Sequence, residues 1–128
     1  MGSQQLLFVI LGLIIVGIAI IAGISMFSAQ GVAFNRDSII SDLNELAAHA
    51  YQFRGRLRTM GGGQGDYSTY SIPAVLAENN NATYSIQSAS VNSLTILAVS
   101  TQNASNTVVV TIDSDGKLGA WTFAGDFQ

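Results

Sequence analysis

"QLLFVILGLIIVGIAIIAGISMF", Gln5 to Phe27, is the stretch whose reading decides the fold. Between Leu6 and Phe27 the one polar side chain is Ser25, and the first charged residue of the chain is Arg36. As a helix these residues rise roughly 33 Å at about 1.5 Å each, the thickness of a hydrocarbon core of about 30 Å. The apolar run is longer than that of a signal peptide, and it lacks a basic start and a small-x-small cleavage site. A membrane anchor is therefore expected, since the rest of the chain is too small to surround such a helix as the core of a larger fold.

The chain has 128 residues, which suggests a single domain. Charged residues are only 10% of it, against about 25% in an ordinary soluble protein. Mean hydropathy is +0.38, and the apolar excess sits in the first thirty positions. A net charge of −3 gives no electrostatic case for binding nucleic acid. There is no cysteine, so disulfides, thiolate metal sites and cysteine nucleophiles are excluded. Within the apolar run Gly12, Gly17, Ala19, Ala22 and Gly23 are small enough to let helix backbones approach closely in lipid.

The helical pattern continues past the span. Gly31 to Asn35 reads as a soft spot, with Asn35 able to cap a new turn. From Asp37 onward Ile39, Leu43, Leu46, Ala50, Phe53 and Leu57 recur three or four residues apart, an apolar stripe on one helix face. Asp37, Asp42 and Glu45 come early and Arg54, Arg56 and Arg58 late, the order that the helix dipole favours. One nearly continuous helix is expected from about Ser3 to about Arg58, ended by the glycines of Gly61 to Gly65.

The remainder reads as β. Ala82–Ser88, Ser93–Ser100, Thr107–Asp113 and Gly119–Phe123 are rich in β-branched and aromatic residues and are separated by turn signals. Such short connections favour an antiparallel meander. Four segments are expected: an apolar helix over 1–30, its amphipathic continuation over 31–60, a Gly-rich connector over 61–81 with a helical turn after Pro73, and a four-stranded sheet over 82–128 that covers the stripe. The fold class is α+β.

A long N-terminal helix, apolar then amphipathic, followed by a small antiparallel sheet resembles the type IV pilins and their relatives. The likeness is strongest over Met1 to Gln30, with more in the Gly-rich loop and "YSIPAVLAENNNATYSI" (Tyr70 to Ile86). The resemblance implies a precursor held in the inner membrane, removal of a basic leader by a prepilin peptidase, and N-methylation of the new terminus, here Met1. It then implies delivery by an assembly machinery into an extracellular filament of identical subunits with bundled helices, serving adhesion, surface motility or DNA uptake.

Polymerisation would run through Leu6, Leu7, Phe8, Ile10, Leu11, Leu13, Ile14, Ile15, Ile18, Ile21, Ile24 and Phe27, with helix contacts at Gly12, Gly17 and Gly23. The family usually has glutamate at the fifth position. Gln5 stands here; its amide accepts a hydrogen bond but forms no ion pair. Pseudopilins of secretion systems share this front end, and a single-pass anchored binding domain is a third reading.

Little else resembles chemistry. His49 with Asp42 and Glu45 shares a helix face, which reads as a solvated polar face opposite the stripe. Asp113, Asp115 and Gly116 lack the spacing and final glutamate of a calcium loop and read as a hairpin turn. There is no G-x-S-x-G, and "GGGQG" lacks the Lys-Ser/Thr of a phosphate loop. Tyr51, Phe53, Tyr67, Tyr70 and Trp121 read as packing residues. Asn81 and Asn103 open N-x-S/T triplets and are candidate glycosylation acceptors. Neither catalysis nor a cofactor is expected.

Overall fold

The computed structural model describes residues 2–128. Helix α1 spans Gly2–Gly55 without a break. The chain has one proline, Pro73, so nothing in α1 removes a hydrogen bond from the helix ladder. Gly31 costs about 1 kcal/mol of helix propensity, too little to open a ladder supported on both sides. Asn35, expected as a cap, lies inside the helix and is buried. The chain forms two compact units divided between Ala33 and Phe34, close to the boundary expected at residue 30.

In the second unit α1 is followed by a short 3-10 turn at Arg58–Met60, helix α2 (Ala74–Ala77), and strands β1 (Ala82–Ala89), β2 (Leu94–Ser100), β3 (Thr107–Ile112) and β4 (Leu118–Ala124). The strands pair antiparallel in the order β1-β2-β3-β4, the meander expected from the sequence. One face packs on α1. Ile39, Leu43, Leu46 and Ala50 are buried as anticipated, together with Ala47. From the sheet they meet Leu94, Ile96 and Ala98 of β2 and Val108, Val110 and Ile112 of β3, all buried. Val109 and Thr111, which alternate with them, point the other way and stay half-exposed.

Two stripe positions differ from expectation. Phe53 is half-buried, edge-on to Tyr70 with ring centroids 5.2 Å apart. Leu57 is 54% exposed because the helix ends at Gly55, two residues before it. The glycine-rich loop folds back to close the helix end. The amides of Gly63, Gln64 and Gly65 donate to the carbonyls of Phe53, Arg56 and Arg54 at 2.9, 2.9 and 2.6 Å, taking groups that a helix end leaves unpaired. At Gly63 a Cβ would collide with the Asp66 carbonyl, so the closure requires glycine there.

Candidate assembly surface

The first unit is a helix with no inside. Every large apolar side chain expected to polymerise is exposed, from 51% at Leu11 to 79% at Phe27. The helix is long and apolar enough to cross a membrane, and none of its most apolar window is buried within the chain. Gly12, Gly17 and Gly23 have open space where a Cβ would stand, so nothing in the chain itself requires their small size. Gln5 is exposed, and Met1 lies outside the described residues.

Among the described residues of the second unit, Arg36 Nε is the one buried side-chain polar atom without a hydrogen-bond partner, and the others are paired internally. Asp42, expected on a solvated face, instead accepts hydrogen bonds on Oδ2 from Tyr84 (2.6 Å), Asn79 (2.8 Å) and Asn81 (3.1 Å). The sheet and connector fold over that side of the helix, which a stripe read along α1 alone could not reveal. Burial opposes the charge on Asp42, but the three donors outweigh it and hold the carboxyl below its ordinary value. Burial, aided by the Asp42 carboxylate, pushes the Tyr84 phenol up.

His49 is half-buried, with Nδ1 2.9 Å from the Tyr70 hydroxyl. Burial pushes the Tyr70 phenol up to about 12. Glu45 alone of this group is exposed.

Asn35 donates to the Asn81 carbonyl and accepts from the Ser100 hydroxyl. At the other end of this helical segment Arg54 reaches Ser114 O at 2.9 Å and Asn92 Oδ1 at 3.2 Å, and its guanidinium lies 5.3 Å from the Tyr67 ring centroid. These two residues tie α1 to the ends of the sheet. Read along the sequence, Asn35 is a cap and Arg54 a base suited to the helix dipole; neither tie is visible there, because a polar residue beside an apolar stripe carries no mark of what it will meet.

The Asp113 to Lys117 segment is the β3–β4 turn, with Asp113 Oδ1 accepting the amides of Asp115 and Lys117, both at 2.9 Å. Tyr67 and Tyr70 are buried, Trp121 is half-buried, and Tyr51 is exposed over Gly116. Of the two N-x-S/T triplets, Asn103 sits exposed in the β2–β3 turn, whereas the Asn81 amide is engaged by Asp42. Among the described residues no three His, Cys, Asp or Glu side chains come together as a metal site.

Comparison with protein-family models, with curated proteins and with solved structures returns no match for this chain.

Proposed function

We propose that this chain is the repeating subunit of an extracellular filament of the type IV pilus kind, held in a membrane by the first half of α1 before assembly. Neighbouring copies then cover that same surface after it. The observation that carries this reading is the exposure of the whole Leu6–Phe27 surface beside a second unit with a closed core of its own.

Each large aliphatic side chain taken out of water contributes roughly 1.5–3 kcal/mol, so such a surface must be covered by lipid or protein. The unpacked glycines support cover by other helices, because three glycines each weaken a helix by about 1 kcal/mol and serve no contact within the chain. Gln5 is neutral, so registration between subunits would rest on packing and hydrogen bonding and not on an ion pair at this position. Adhesion, motility or DNA uptake would be work of the filament.

Electron microscopy and mass spectrometry of sheared surface material test the proposal. The expected result is thin filaments in which this chain is the dominant protein. Scarcity there would favour a pseudopilin. Recovery only from detergent-extracted membranes, with no particle in its absence, would favour an anchored binding domain.

A further inference from the structure

The second unit ends differently at its two poles. At the pole marked by Asn35, the Ser100 amide bonds to Asn106 O, and Asn106 Oδ1 accepts the Asp126 amide at 2.7 Å. Asp126, exposed, is thus linked through Asn106 and Ser100 to Asn35, two residues before Asp37, whose side chain is 69% exposed. The base at this pole, Arg36, lies over the Phe123 ring, 5.8 Å from its centroid, and approaches Asp37 only to 4.0 Å. Acidic charge is left over.

At the pole marked by Gly55, Arg54, Arg56, Arg58 and Lys117 stand with Asp66, Asp113 and Asp115, a basic excess of one charge carried by the two exposed arginines after the helix end. The Arg56 side chain is exposed and has no ion-pair or hydrogen-bond partner among the described residues. Arg58 is 67% exposed and meets Asp66 only at 3.9 Å. Beside these arginines Leu57 and Met60 are also uncovered, and Phe34 is uncovered at the opposite pole.

We propose that these poles are the two halves of one head-to-tail interface between neighbouring copies of this chain. Arg56 and Arg58 of one copy face Asp37 and Asp126 of the next, with Leu57 and Met60 set against Phe34. A contact between two different patches of the same molecule repeats without closing and gives an open helical polymer. Exposed ion pairs are individually weak, each worth up to about 1 kcal/mol. Beside apolar cover they fix register and partner choice more than they add affinity. The inference rests on the filament reading and adds to it the surface that sets how one subunit follows another.

Charge reversal in the full chain tests it. Arg56→Glu with Arg58→Glu is expected to lower filament yield about tenfold, a change of roughly 1.4 kcal/mol in subunit addition. Asp37→Lys with Asp126→Lys should do the same, and all four substitutions together should restore most of the yield. Thermal unfolding of each variant checks that the second unit stays folded. In the unaltered chain, assembly should slow as salt rises from about 50 to 500 mM, because exposed charges are screened over that range. That measurement needs no variant to fold.

Filaments from the unaltered chain that ignore both salt and charge reversal overturn this interface and leave the filament reading standing. So does failure of the four-fold variant to recover when all variants are folded. If the unaltered chain forms no polymer at all, both readings fall.

Discussion

Gly116 closes the β3–β4 turn with φ +80°, and a Cβ placed there would stand 2.8 Å from the Tyr51 ring. Gly116→Ala meets both obstacles and should cost about 1–3 kcal/mol in denaturant unfolding. Adding Tyr51→Ala would remove the ring contact and leave the backbone strain, so the double variant should recover part of the loss. Ala120 presents the converse case. It holds φ +52° where β4 bulges between its pairings Val109↔Thr122 and Thr111↔Gly119. Ala120→Gly relieves the left-handed conformation and should raise stability by about 0.5–1 kcal/mol in the same measurement.

Asp42 makes a prediction about pH. Its carboxyl is held below the ordinary value of 3.8, so the folded form binds its proton less readily than the unfolded chain. The stabilisation is fully present above that ordinary value and is lost as pH falls through the lower, folded one. The gap in melting temperature between the unaltered chain and Asp42→Asn should therefore be full near neutrality and narrow below about pH 4. A gap that stays constant into acid would mean that the charge on Asp42 contributes nothing.

At the level of elements, α1 is fixed to the sheet by its apolar stripe and by a polar tie at each end. Asn35→Ala removes the acceptor of the buried Ser100 hydroxyl and one donor to the Asn81 carbonyl, which keeps Thr101, and leaving the Ser100 hydroxyl without its acceptor should cost about 1–3 kcal/mol. Arg54 joins the β1–β2 and β3–β4 turns through donors spread across its planar head and by lying over Tyr67. Arg54→Lys keeps the charge but not the fork, so it should lose most of what Arg54→Ala loses. Equilibrium unfolding of the two variants compares them directly. The stripe from Ile39 to Ala50 was legible in the sequence because helix period alone sets it. The ties were not, since their hydrogen-bond partners lie between 38 and 65 positions away in the chain.

For the whole molecule, the two units predict separable losses. Ile15→Asp or Ile18→Asp places a charge on the exposed apolar helix without touching the second unit, whose core has its own closed set of contacts. Filaments should disappear from sheared material, while the unfolding transition of the second unit stays within about 0.5 kcal/mol of the unaltered chain. Normal filaments from either variant would rule out a central bundle of these helices.

The sequence by itself determined the elements: an apolar run of membrane length, a helical stripe, four short strands and the turns between them. Those signals are local, repeating every two or three to four residues, and they survive without knowledge of any partner. Only the tertiary structure decided where the helix stops, because the amides that close it at Gly55 come from a loop about ten residues further on. It also moved Asp42 and His49 from an expected solvated face into contact with Tyr84 and Tyr70, brought there by the connector and the sheet. A polar side chain announces its need for a partner in the sequence, but which partner meets it is settled when distant segments pack together.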